Sequence, residues 1–119
     1  MRSRKEIKES YKEMKFQIGV YQIRNISNNK LFIGSSTNLA AIWNRQKFQL
    51  NFGSHPNSVL QKEWNEYGQE NFVFEIISEI KQDDDKPRNY QKEVKSLEAM
   101  FVEELQPFGE NGYNLAGAK

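Results

Sequence analysis

One carboxylate in this sequence stands where a charge is costly. Over residues 89–105 the apolar side chains Val94, Leu97, Phe101 and Leu105 recur at spacings of three and four, which is one face of a helix. Glu98 falls inside that face, four residues after Val94 and three before Phe101. Glu93, Glu103 and Glu104 are displaced from it, as solvated charges should be. A carboxylate on an apolar face must be ion-paired, hydrogen-bonded, protonated or bound to a metal. A structural ion pair and a functional group both satisfy that requirement. Three further residues could do chemistry. Tyr21 sits in a β-branched and aromatic run beside Gly19, and a glycine within a strand marks the close approach of a ligand or another backbone. His55, the one histidine, lies in the turn Gly53-Ser54-His55-Pro56-Asn57 at a helix start, where capping and chemistry are both open to it. Asn114 lies in the turn-rich segment GENGYNL. There is no cysteine, which excludes a thiolate zinc site, a disulfide framework and a cysteine nucleophile. No phosphate-binding glycine loop, HExxH or nucleophile elbow is present.

These residues need elements to hold them. The runs at 17–25 (QIGVYQIRN) and 30–36 (KLFIGSS) flank Ile26-Ser27-Asn28-Asn29, and asparagine accepts the positive φ of a tight turn. The spacing predicts an antiparallel hairpin. Alternation puts Gly19, Tyr21 and Ile23 on one face, and Val20, Gln22 and Arg24 on the other. Asn38 should cap a helix over 39–51 that Gly53 ends, with Leu39, Ile42, Trp43, Gln46 and Leu50 as its inner stripe. A second helix is expected from Asn57 to Tyr67, with Val59, Leu60 and Trp64 inward and Gly68 as its stop. Residues 71–80 (NFVFEIISEI) read as a third strand, and 82–87 (QDDDKP) as a loop before the long helix over 89–105. Residues 2–15 read as an amphipathic helix with the narrow stripe Ile7, Tyr11 and Met14, expected to dock on the domain or on a second copy of it in a homodimer. The reading is therefore an N-terminal helical extension over 1–16 and one domain over 17–119.

The chain has 119 residues, 37% hydrophobic and 13% aromatic, enough for one modest core. No apolar run approaches the length of a membrane span, and the first fifteen residues have no signal-peptide apolar region, so the cytoplasm is the expected location. The net charge of +1 conceals an asymmetry. Residues 1–60 carry ten Lys/Arg against three Asp/Glu, and residues 61–119 carry seven against thirteen. No acid occurs between Gln17 and Leu60, whereas Arg24, Lys30, Arg45 and Lys47 all do. A sided field of this kind attracts a polyanion.

The order of these features along the chain carries more than any one of them. Gly19-Val20-Tyr21 followed by Leu31-Phe32-Ile33-Gly34-Ser35-Ser36 resembles the paired GIY and YIG motifs of the GIY-YIG endonuclease superfamily. The likeness continues through Asn38-Leu39, GSHPNSVLQ at 53–61, WNEYG at 64–68, Asn71-Phe72, Leu97-Glu98 and Gly112-Tyr113-Asn114-Leu115. It covers about Ile18 to Ala116 and looks most like the homing-endonuclease branch. The resemblance implies an α/β (α+β) fold with a small three-stranded antiparallel sheet flanked by helices. It implies metal-assisted hydrolysis of a DNA phosphodiester, with DNA as partner. By the same resemblance Tyr21 would stand beside the attacking water, Glu98 would hold one weakly bound Mg²⁺ or Mn²⁺, and His55 and Asn114 would assist. The basic residues Arg24, Lys30 and Lys47 are expected on the DNA-facing surface.

Three positions depart from that pattern. The tyrosine of the second motif is replaced by Phe32. The arginine of the first helix falls at Ile42, and a histidine or tyrosine four residues on falls at Gln46. Ile42 and Gln46 share one helix face, so both changes strike the same wall. Arg45 is the expected substitute cation, about 60° from Ile42 around an ideal helix. Hydrolysis is therefore expected to be weakened, the alternative being a non-catalytic module that binds nucleic acid or protein through the same cleft.

Overall fold

A computed structural model describes residues 16–82 and 89–114. The N-terminal helix expected over 2–15, and with it the homodimer it would form, lies outside the described residues.

The hairpin forms as its sequence requires. Strand β1 (Gly19–Asn25) pairs antiparallel with β2 (Leu31–Ser36), with Tyr21 opposite Gly34 and Ile23 opposite Phe32. Asn29 takes the positive φ of the turn, at 62°. The Asn25 and Asn28 side chains accept from the Ser27 and Lys30 amides, as asparagine does in turns. Helix α1 (Leu39–Phe52) opens on Asn38, whose side chain accepts from the Ala41 amide, and closes on Gly53 at φ 74°. Helix α2 (Ser58–Tyr67) is capped by Asn57 and stops at Gly68. Strand β3 (Phe72–Glu79) follows a short 3₁₀ turn and joins the far side of β1, so the sheet order is β2-β1-β3, all antiparallel. Helix α3 (Tyr90–Leu105) is capped by Asn89. The expected three-stranded α+β architecture is the one observed.

The sheet divides the core. Tyr21, Ile23 and Phe72 pack with Leu39 and Leu50 of α1, Leu60 and Trp64 of α2, and Tyr113, joined by Phe32, Ile42, Trp43 and Phe74. Ile18, Val20 and Ile33 pack with Val94 of α3, joined by Leu97 and Phe101. The alternation in β1 thus sends Tyr21 toward α1 and Val20 toward α3. Two expected core positions are exposed instead. Val59 is 43% exposed, because α2 turns Leu60, Glu63 and Trp64 inward and Val59 lies about 100° from Leu60. Leu105 is 41% exposed at the last residue of α3.

Glu63 faces inward because a polar network awaits it. Its Oε1 accepts from Tyr113 Oη at 2.8 Å and from Asn28 Nδ2 at 2.8 Å, and its Oε2 from Lys30 Nζ at 2.7 Å. Asn25, fully buried, donates to Tyr113 Oη at 3.2 Å. Burial raises the Glu63 pKa, but the hydrogen bonds from Lys30, Tyr113 and Asn28 outweigh it and hold the value below the ordinary carboxylate range. A group with a depressed folded pKa stabilises fully above its unfolded value, and the contribution is lost as pH falls through the folded value. The domain should therefore lose stability as pH drops below about 4.3, the unperturbed glutamate value. Glu63→Gln should flatten that part of the profile in thermal melts. Glu63→Ala, which strands the Lys30 ammonium and the Tyr113 hydroxyl, should cost about 3 kcal/mol at pH 7.

Candidate nuclease site

The site begins at the centre of the hairpin. Tyr21 is buried, and its ring crosses β2 above Gly34. A Cβ at Gly34 would lie 2.5 Å from the Tyr21 hydroxyl and 2.6 Å from Cζ, so no side chain fits there while the ring holds this position. Gly19, by contrast, is approached by the β3 backbone at Ser78, so it marks strand contact and no ligand. Behind Tyr21 an aromatic stack fixes the ring. Phe74 lies 5.1 Å from it centroid to centroid, and Trp43 lies 5.0 Å from Phe74.

A hydrogen-bond chain fixes the hydroxyl. The Asn57 amide donates to His55 Nδ1 at 3.0 Å, which leaves that nitrogen unprotonated and the ring proton on Nε2. His55 Nε2 is hydrogen-bonded to Gln46 Oε1, and Gln46 Nε2 donates to the Tyr21 hydroxyl oxygen at 3.2 Å. Every donor in the chain points toward Tyr21. The tyrosine's own proton must then go to another acceptor, so Tyr21 meets the cleft as a hydrogen-bond donor. Burial lowers the His55 pKa, which keeps the ring neutral near pH 7. Burial and the nearby Glu98 carboxylate push the Tyr21 pKa up to about 12. A spectrophotometric titration of wild type minus Tyr21→Phe should accordingly show no ionising tyrosine at the ordinary value of about 10. A tyrosinate appearing there would remove the donor assignment.

Glu98 reaches the same end of the hairpin from α3. Its Oε1 accepts from Ser35 Oγ at 2.6 Å, and Lys95, one turn earlier, places Nζ at 3.7 Å. Ser35 follows Gly34, and the Glu98 carboxylate it holds lies near enough to Tyr21 to act on its hydroxyl electrostatically. A half-buried carboxylate oriented by a hydroxyl is a hard oxygen donor, the kind Mg²⁺ and Mn²⁺ take singly alongside water and phosphate oxygens. Among the described residues no cluster of three or more His, Cys, Asp or Glu side chains could cage an ion. The residues present therefore fit one open, weakly held divalent cation on Glu98 and do not fit a closed protein cage.

Other residues singled out from sequence have different surroundings. The Asn114 side chain is spent on β2: its Oδ1 accepts from the Ile33 amide at 2.8 Å and its Nδ2 donates to the Ile33 carbonyl at 3.0 Å. It clamps the C-terminal turn to the hairpin edge, with the Tyr113 amide donating to the Leu31 carbonyl beside it. Phe32 sits edge-on to His55 at 5.9 Å, and Ile42 packs against the core, so the wall that would hold a second hydroxyl and a guanidinium is apolar. Arg45 is exposed on α1 and makes no side-chain hydrogen bond or ion pair among the described residues. Arg24 donates to Glu75 Oε1 at 2.9 Å and Lys30 is paired with Glu63, so two of the three residues expected to face DNA already carry acidic partners. Lys47 lies over the Trp43 ring at 5.2 Å and has no acidic partner among the described residues. Sequence reasoning missed Ser35 and Lys95. Lys95 could have been found from its i,i+3 spacing to Glu98. It also took Gln46 for a lost group, where the structure makes it the bridge between His55 and Tyr21.

Comparison with known proteins places this geometry. The GIY-YIG catalytic domain family matches residues 17–114. Intron-associated endonuclease 1 of Enterobacteria phage T4 is 35% identical over 103 residues, which is 84% of this chain and 37% of that protein. The chain thus spans little more than a third of that relative's length. Among solved structures, the catalytic domain of the homing endonuclease I-TevI superposes with a TM-score of 0.68 at 32% identity, covering 83% of this chain and 98% of that one. A glutamate-to-alanine mutant of the same catalytic domain gives 0.71 at 30% identity, covering 87% and 98%. Among the described residues no helix is long and apolar enough to cross a membrane. Motif order, sheet topology and sequence identity agree over the same stretch, and the chain belongs to the GIY-YIG catalytic domain family.

Proposed function

We propose that this domain acts on DNA and hydrolyses a phosphodiester slowly, with a divalent cation held on Glu98. The observation that supports this reading is that Tyr21, packed on Gly34 and oriented by Gln46 and His55, feels the charge of Glu98, which the adjacent Ser35 holds. When bound, Mg²⁺ or Mn²⁺ would neutralise charge on the phosphoryl oxygens and lower the pKa of water. The residues of the chain do the rest. Tyr21 donates a hydrogen bond to a phosphate oxygen, and Gln46 and His55 hold it in that role. Ser35 orients the Glu98 carboxylate. Asn114 keeps β2 in register beneath them.

The wall formed by Phe32 and Ile42 supplies neither a hydroxyl nor a cation. Loss of one transition-state charge contact typically costs about 10²–10³ in rate. Loss of a proton-transfer group costs about 10²–10⁴. The activity expected is therefore slow nicking. The same apolar wall, with Phe32 edge-on to His55, favours the second reading, a binding module that does not cleave. A plasmid-nicking assay separates them. Slow conversion of supercoiled to open-circular DNA in Mg²⁺ or Mn²⁺, stopped by EDTA, supports the enzyme. Retained DNA binding with no product in either cation supports the binding module.

A further inference from the structure

Beside Glu98, between the end of β2 and the first turns of α3, lies a hollow of about 260 Å³ lined by Ser35, Ser36, Thr37, Gln91, Val94 and Lys95. We propose that this hollow is a subsite for a nucleic-acid backbone phosphate, with Lys95 as its cation. The inference rests on the DNA reading above and adds the second anionic contact that reading lacks.

The lining has the chemistry of an anion site. None of its described residues is acidic, and Lys95 is its one charge. Lys95 is 61% exposed at its side chain, so the ammonium is free to leave its long 3.7 Å contact with Glu98 for a phosphate oxygen. The Ser36 hydroxyl is committed to Asn38, donating to its carbonyl and accepting from its amide, and serves as wall. Thr37 and Gln91 bring a hydroxyl and an amide as neutral donors. The outer edge of β2 adds one more. Leu31 accepts there from the Tyr113 amide, and Ile33 exchanges two bonds with the Asn114 side chain. By strand alternation the next outward amide is that of Ser35, at the mouth of the hollow. Gln91 lies in the first turn of α3, where the helix dipole favours negative charge. A phosphate here would lie next to a cation held on Glu98, and a cation on both sides of that carboxylate lets the charge of consecutive phosphates be met without an arginine at position 42.

The test is duplex binding by fluorescence anisotropy over a range of salt concentrations in EDTA, so that the metal does not contribute. Lys95→Gln should weaken binding about 3–10-fold at moderate salt and reduce the log–log salt slope by about 0.9, the value for one phosphate contact. Lys92→Gln, on the same helix outside the hollow, should leave both unchanged. Wild-type binding with an unaltered slope in Lys95→Gln would overturn the subsite and leave the DNA reading standing. If no duplex binds wild type, the DNA reading fails by itself. Inorganic phosphate followed by amide NMR shifts then judges the subsite: shifts centred on Ser35, Thr37, Gln91 and Lys95 uphold it, and shifts elsewhere or none overturn it.

Discussion

Glu98→Ala is expected to lower metal-dependent nicking by at least about 10²–10³-fold while leaving the fold intact. The loss is large because, among the described residues, no group of three or more His, Cys, Asp or Glu side chains could hold the cation in its place. The fold should survive because Glu98 is half-buried and its partners are a hydroxyl and an exposed lysine, Ser35 and Lys95. A second readout distinguishes a vacated site from a collapsed one. Glu98 contributes to the elevated Tyr21 pKa, while burial is the larger cause. In Glu98→Ala the Tyr21 value should therefore move down from about 12 yet stay above that of a free tyrosine. If the variant nicks at the wild-type rate, or if the tyrosine titration does not move, Glu98 is not where the account puts it.

Phe32→Tyr combined with Ile42→Arg should change activity in the opposite direction. The double variant restores a hydroxyl and a cation to the apolar wall, and nicking should rise by about 10²-fold or more. Tyr21, Gln46 and His55 are already arranged, so no other part needs to move. Stability should fall, because Ile42 and Phe32 both pack against the core that holds Leu39, Leu50 and Tyr21. The arginine must extend past that core into the cleft or leave its charge unpaired, and the new hydroxyl beside His55 must find a partner. The expected cost is about 1–3 kcal/mol, seen as a lower Tm. A folded double variant with unchanged nicking would mean that these two positions do not limit the chemistry. If Arg45→Ala in the wild-type background abolishes nicking, the cation has moved to Arg45 and the added arginine at position 42 is redundant.

The hairpin and all three described helices were legible because their signals are local. Asn38, Asn57 and Gly53 act within three or four residues of themselves, and the alternation in β1 sorts its own side chains. Glu98 was legible because a charge on an apolar stripe is itself an anomaly. What was not legible depends on contacts between residues far apart in sequence. The acid-free stretch from Gln17 to Leu60 read as an open basic surface. Arg24 and Lys30 are nonetheless neutralised by Glu75 and Glu63, which enter from β3 and α2. Alternation in β1 carries Asn25 to the face of Tyr21 and Ile23, but nothing local names its partners Tyr113 and Glu63, which join it from far along the chain. Gln46 read as a missing histidine or tyrosine because its partners, Tyr21 and His55, come together only once the hairpin packs on α1. Asn114 read as a candidate for chemistry, and only the pairing of its amide with Ile33 shows it to be a clamp.

The most direct test of the Glu98-centred site is single-turnover cleavage of labelled duplex DNA across a titration of Mn²⁺, for wild type and Glu98→Gln side by side. The account predicts slow wild-type cleavage that saturates at high Mn²⁺, as one weakly held ion requires, and no detectable cleavage by Glu98→Gln at any concentration. Equal cation dependence in the two proteins would contradict it.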